Sequence, residues 1–208
     1  MNRKIVFIND LPDDHILVGD VAIDTEAMGL NLDRDRLCCV QICDQSLSTY
    51  IVHFPDGECD YSKAKNLKNI LLDKKIQKIF HYARFDVSIL RKYLKIDEIP
   101  NIYCTKIVSR LVRTYSDRHG LRTIVGEICG VDLSKEQQSS NWGREFLSNK
   151  QIDYAKNDII YLHKIRDEFN KMLKNNNRTE LAKNYFEFVN TICTSDMLGF
   201  SEDLFRHQ

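Results

Sequence analysis

Two apolar, β-branched stretches separated by a short polar turn constrain this chain more than any other feature. Arg36–Asp44 (RLCCVQICD) and Ser48–Phe54 (STYIVHF) read as the arms of an antiparallel hairpin. A third apolar stretch, Ile16–Asp24 (ILVGDVAID), precedes them. Strands this early commit the chain to a sheet, and a sheet with apolar faces needs cover. The rest of the sequence supplies it. Ser62–Leu72 has helical spacing, with Ala64, Leu67, Ile70 and Leu71 on one side and Ser62 as a candidate cap. Ile76–Tyr82 reads as a further strand and Arg84–Leu94 as a helix. A short apolar entry at Ile102–Cys104 then leads into helices over Thr105–Arg113 and His119–Cys129, the latter ended by Gly130.

Asp132–Lys150 is polar and irregular. A long helix is expected over Gln151–Leu173, with Ile152, Ala155, Ile159, Leu162, Ile165, Phe169 and Leu173 as its inner stripe. A last helix is expected from Thr179 to about Thr194, carrying Leu181, Tyr185, Phe188 and Ile192 at helical spacing with Phe186 and Val189 beside them. Strands first, then strand–helix alternation, then helices describe an α/β chain with a mixed sheet. At 208 residues, with nothing marking a second core, residues 1–208 are expected to form one domain.

Charge narrows the function classes. Thirty basic and thirty acidic residues give zero net charge. Proteins that hold long nucleic acids usually do so through many phosphate contacts on a clearly basic surface. A short anionic partner fits this balance better. No apolar run reaches the roughly 18 residues of a membrane span, and the N-terminus lacks the long apolar core of a signal peptide. No membrane partner is therefore expected, and the location expected is cytoplasmic. Seven cysteines, at 38, 39, 43, 59, 104, 129 and 193, include no CxxC pair and are expected to be reduced.

Three carboxylate motifs carry the chemistry. Asp24-Thr25-Glu26 ends an apolar stretch, and residues two apart in a strand project from one face. Oxygen ligands presented in this way suit hard cations such as Mg²⁺ or Mn²⁺. Asp86 follows His81 in HYARFD, in the first turn of a helix, where the helix dipole favours an acid in any case. Tyr154 and Asp158 lie four apart in a helix and share a face. Taken singly, each motif has an ordinary structural explanation: a strand end, a helix start, a helix surface pair.

Together, D-x-E, then D after H-x-x-x-x, then Y-x-x-x-D resembles the DEDDy branch of the DEDD exonuclease superfamily. Gln138-Ser139-Ser140-Asn141-Trp142, Leu147-Ser148 and Gln151 resemble the segment before the third motif in ribonuclease D relatives. Asp33–Gln41, Cys104–Ile107, Arg113–Leu121 and the ending Leu198–Glu202 are similar to the short nano-RNase C group. One departure is that Asp33 stands where a histidine would be tolerated. The resemblance implies a ribonuclease-H-like fold with a mixed five-stranded sheet flanked by helices. It implies two divalent metal ions, Mg²⁺ or Mn²⁺, held by Asp24, Glu26, Asp86 and Asp158, with Tyr154 orienting or helping to deprotonate the attacking water; a phenol's ordinary pKa of about 10 favours orientation. The substrate it implies is very short RNA, dinucleotides included, cut 3′-5′ to mononucleotides. Leu30 would wedge the terminal bases, and a loop with Arg113, Tyr115, Arg118 and His119 would receive a 5′-phosphate, with His81 also on the substrate. A homo-oligomer, an octameric ring, is implied as well. The alternatives are ribonuclease-D-like trimming of structured RNA 3′ ends and a non-catalytic RNA-binding module on the same fold.

Overall fold

The computed structural model describes residues 5–134 and 136–200. The N-terminal residues 1–4 and the likeness at Ser201 and Glu202 fall outside them. Six strands form one sheet: β1 (Val6–Ile8), β2 (Val21–Ala27), β3 (Leu37–Asp44), β4 (Thr49–His53), β5 (Lys78–Phe80) and β6 (Ile102–Cys104), in the order β1-β4-β3-β2-β5-β6. β2, β3 and β4 are an antiparallel meander, whereas β1 joins β4, and β5 and β6 continue from β2, in parallel. The mixed α/β architecture agrees with the sequence reading, but the sheet has six strands where five were expected. The extra one is β1, whose three residues are too few to register as an alternating pattern. The hairpin expected between residues 36 and 54 is present, and every residue of β3 is buried. Such a central strand reads as a continuous apolar run because both of its faces are covered.

The first strand starts later than its apolar run suggests. Ile16 and Val18 are exposed. The chain turns at Gly19, whose φ of +68° is a left-handed conformation that glycine adopts without steric cost. Only from Val21 does the ladder begin.

Helices cover both faces. α1 (Lys65–Leu72) and α2 (Ala83–Leu94) pack on one, with Leu67, Leu71, Val87 and Leu90 against Val21, Ile23, Val40 and Val52. α3 (Thr105–Val112), α4 (Leu121–Cys129) and α6 (Leu162–Asn175) pack on the other, with Val108, Ile124, Ile165 and Phe169 around Ala22, Cys43 and Ile79. Burying each such side chain contributes about 1.5–3 kcal/mol. α5 (Asn149–Asn157) sets Ala155 and Tyr154 against Trp142, Cys39 and Ile51. α7 (Thr179–Met197) closes the β6 edge through Ala182, Phe186, Val189 and Cys193, while Leu181, Tyr185 and Phe188 face outward. The stripe picked out by spacing is therefore largely the outer face of α7. All seven cysteines are free, five of them buried.

The long helix expected over 151–173 is two helices. Between them, Ile159 N–H donates to Lys156 O and Leu162 N–H to Ile159 O, i→i+3 bonds that tighten the chain as in a 3₁₀ turn. Ile159 and Leu162 both remain fully buried across the break. Their apolar spacing alone carries no trace of it.

Candidate active site

The site lies at the carboxyl ends of the parallel neighbours β2 and β5, where open α/β sheets place their clefts. Asp24 and Glu26 share a face of β2 with Ala22, opposite Gln41 and Cys39 of β3. A register shift between Glu26 and Ala27 ends regular pairing just beyond them. Bulges of this kind re-aim side chains beside functional sites.

Asp158 reaches the same place as the C-terminal cap of α5. That helix is held at its start by a reciprocal box, in which Gln151 N–H donates to Ser148 Oγ and Ser148 N–H donates to Gln151 Oε1. Gln151 Nε2 also donates to Ser140 Oγ and Asn141 O, which ties the irregular segment before α5 to the helix. One oxygen from each of Asp24, Glu26 and Asp158 lies within 4.8 Å of the others.

Asp86 arrives from the other side of the sheet, in the first turn of α2. Thr25, whose side chain points oppositely to its two acidic neighbours, donates its hydroxyl to Asp86 Oδ1 at 2.7 Å. The middle residue of the D-x-E motif is therefore the link between the two faces. Spacing gave no hint of this role, because a threonine inside a strand is ordinary.

Burial and mutual repulsion make these acids hard to ionise together. Asp24 is raised well above the carboxylate range by burial first, then by the charges of Asp86, Asp158 and Glu26. Glu26 is raised by burial and by Asp158 and Asp86. Burial pushes Asp86 up to about 7 against the opposing Thr25 hydrogen bond, and it pushes Asp158 up to about 7 against its hydrogen bond from Tyr154. The Tyr154 phenol is itself raised far above its usual range, by burial and then by the Asp158 charge. Converging carboxylates with this much mutual repulsion form a donor set that fits hard divalent cations.

The acids sit in a cleft of about 700 Å³. His81, Tyr82, Phe85 and Lys106 line one stretch of it, Leu121 to Thr123 of α4 another, and Gln138 to Ser140 a third. Leu30 stands at its rim, 83% exposed. The Thr105 hydroxyl donates to Phe80 O and so accepts from His81 Nδ1 at 2.8 Å. Burial and then the Lys106 charge push His81 down to about 3, which keeps the ring neutral.

Residues 113–119 are not part of this lining, although His119 lies beside His81. Arg113, read from sequence as a phosphate donor, is 2% exposed. Its guanidinium donates to both Glu127 carboxylate oxygens, to Ser109 Oγ and to Arg118 O. It is the loop's internal brace, because a buried arginine must spend its donors on fixed acceptors. Tyr115 and Arg118 are exposed, and His119 bonds Ser109 through Nδ1. The cleft also holds residues not singled out from sequence as site residues: Thr25, Tyr82, Lys106 and Arg122.

Residues 6–174 match the family described as 3′-5′ exonuclease. Ribonuclease D of Granulibacter bethesdensis is 30% identical over 158 residues, covering 76% of this chain and 38% of that protein. DNA polymerase I of Aquifex aeolicus is 29% identical over 157 residues, covering 72% of this chain and 24% of that one. The chain thus spans well under half the length of these curated relatives. Among solved structures, Brucella melitensis NrnC with bound Mg²⁺ is 40% identical at a TM-score of 0.89, covering 98% of both chains. The same nuclease bound to pGG is 41% identical, with the same TM-score and coverage. Escherichia coli RNase D, at 23% identity and a TM-score of 0.71, shares the fold.

Proposed function

The chain belongs to the 3′-5′ exonuclease family, in its ribonuclease-D-like DEDDy group, and from that premise we propose that it hydrolyses very short RNA, dinucleotides included, to mononucleotides. The observation that carries this reading is the cluster of Asp24, Glu26 and Asp158 oxygens within 4.8 Å of one another, at the base of a cleft with Leu30 at its rim. The NrnC structure bound to pGG supports a two-nucleotide substrate, since the two chains align over 98% of their lengths.

Asp24, Glu26 and Asp158 are the residues that would hold divalent metal, with Asp86 completing the set through Thr25. When bound, two such ions, Mg²⁺ or Mn²⁺, supply water activation and charge neutralisation at the scissile phosphate. Tyr154 keeps its proton across the working pH range, so it orients the attacking water by a hydrogen bond and does not remove a proton itself. Leu30 offers an apolar side chain on which terminal bases can be wedged. Neutral His81 lines the same cleft and contributes to substrate binding there.

Among the described residues no helix is long and apolar enough to cross a membrane. We place the enzyme in the cytoplasm, where short RNA is generated and thiols stay reduced. The outward Leu181, Tyr185 and Phe188 of α7 favour a homo-oligomer, which we take to be an eight-membered ring in which the exposed Tyr115 and Arg118, with the half-buried His119, serve a neighbouring cleft.

Cleavage of 5′-labelled RNAs from two to about ten nucleotides, with Mg²⁺, tests the reading. Faster turnover of the dinucleotide is expected. Equal or faster cleavage of the longest RNA would point to 3′-end trimming of longer substrates.

A further inference from the structure

We propose that Gln41, in the middle of β3, is a positioning residue of the metal site, its carboxamide donating a hydrogen bond to Asp24 when that acid holds a cation. The proposal rests on the reading of Asp24, Glu26 and Asp158 as metal ligands and adds a residue that touches none of the reacting atoms.

Gln41 interrupts an apolar run. Every residue from Leu37 to Cys43 is fully buried, and Gln41 is the one among them with an amide side chain. Both polar atoms of that carboxamide, Oε1 and Nε2, are buried with no hydrogen-bond partner among the described residues. Burying an amide in this way costs free energy that a leucine at the same place would not. Nearly all buried polar groups in folded proteins are paired, so an unpaired one points to a contact made in another state of the protein.

Register limits where the carboxamide can turn. Gln41 pairs with Asp24 of β2 on one side and with Ile51 of β4 on the other. Residues paired directly across strands project from the same face, with Cβ atoms about 4.5–5.5 Å apart. Along β3 its neighbours on that face are Cys39 and Cys43. Of these four, Asp24 alone offers carboxylate oxygens. Asp24 already accepts from the Thr25 backbone, and an ionised carboxylate has lone pairs left for both a cation and a second donor.

A carboxamide suits this place better than a cationic side chain would. Being neutral, it donates to Asp24 without cancelling the charge that attracts the metal. Hydrogen bonds to an ionised carboxylate are shorter and stronger than those between neutral groups. One from Gln41 would fix the Asp24 carboxylate relative to Glu26 and Asp158, whose oxygens lie within 4.8 Å of it and of each other. Donors behind a ligand orient it and tighten its hold on the metal.

The test is calorimetric titration of the full-length protein with Mg²⁺ at pH 8, in the wild type, Gln41→Leu and Gln41→Met. Both variants keep the volume and remove the donor. The Kd for Mg²⁺ is expected to rise roughly 10- to 100-fold in each. Thermal melting of the metal-free variants stays at or above the wild-type value, because an unpaired buried amide has been removed. Variants that bind Mg²⁺ with wild-type affinity overturn the proposal, and leave His163 Nδ1, a second buried and unpartnered atom whose ring bonds Cys43 O, as the group that Gln41 serves. A crystal structure of the Mg²⁺-loaded wild type decides the same point without any variant: Gln41 Nε2 is expected within about 3.2 Å of an Asp24 oxygen, and a carboxamide turned away from Asp24 overturns the proposal. A wild-type protein that binds no Mg²⁺ overturns the metal-site reading itself.

Discussion

The Thr25 hydroxyl donates to Asp86 Oδ1 across 2.7 Å, joining a strand residue to a helix residue 61 positions later in the chain. Asp24 and Glu26 point to one face of β2 and Thr25 to the other, so this bond, beside a hydrogen bond from the Thr25 backbone, couples the D-x-E strand to the third acid. Thr25→Val keeps the shape and removes the donor. We expect its kcat to fall by about tenfold or more, the loss of a hydrogen bond to an ionisable group, with Thr25→Ser near wild type. Single-turnover rates of the two variants check this. A Val variant with full activity would mean that Asp86 is placed without the help of the Thr25 hydroxyl.

Removal of any acid should disturb the cluster as a unit. Asp24→Ala, Glu26→Ala, Asp86→Ala and Asp158→Ala are each expected to lower Mg²⁺-dependent hydrolysis by at least about a thousandfold while the protein stays folded. Chelation of the wild type with EDTA should do the same, reversibly. Calorimetric titration with Mg²⁺ separates the roles: the Asp24, Glu26 and Asp158 variants should lose affinity more than Asp86→Ala does, because their oxygens converge directly.

The acids also set a pH dependence with a definite sign. Asp86 and Asp158 are raised to about 7, so in the metal-free fold they hold protons that the unfolded chain has released. Their contribution to stability is present at low pH and is lost as pH rises toward and through 7. Metal binding needs the deprotonated forms, so Mg²⁺ competes with those protons. The rise in Tm caused by Mg²⁺ should be small at pH 5.5 and large at pH 8. Thermal shift assays across this range decide it, and a constant increment would show that the acids are ionised throughout.

Tyr154 stays protonated because burial and the Asp158 charge both oppose its ionisation. Tyr154→Phe should lower kcat about 10- to 100-fold with little change in KM. The shape of the pH–rate profile should be unchanged, since no phenol titrates in the working range. A raised KM at unchanged kcat would mean that Tyr154 binds substrate and does not orient water.

Much of this protein was legible from residue order. The Arg36–Phe54 hairpin, the helices after Tyr82 and Cys104, and the stop at Gly130 follow from local propensity and apolar period, which nearest neighbours in sequence decide. The D-x-E, HYARFD and Y-x-x-x-D motifs marked the acids as a set through their resemblance to a known family. Tertiary structure decided the remainder. β1 exists only because β4 offers it an edge, and the helix break at Asp158 follows i→i+3 bonds that apolar spacing cannot register. Arg113 reads as a free cation in sequence, yet Glu127 and Ser109 enclose it, while Lys106 reads as an ordinary helix residue and lies over the Tyr82 ring in the cleft. Sequence states which side chains carry charge and which strand face they take. Whether a charge is paired, and whether Thr25 reaches Asp86, depends on distances between segments that only the packed chain brings together.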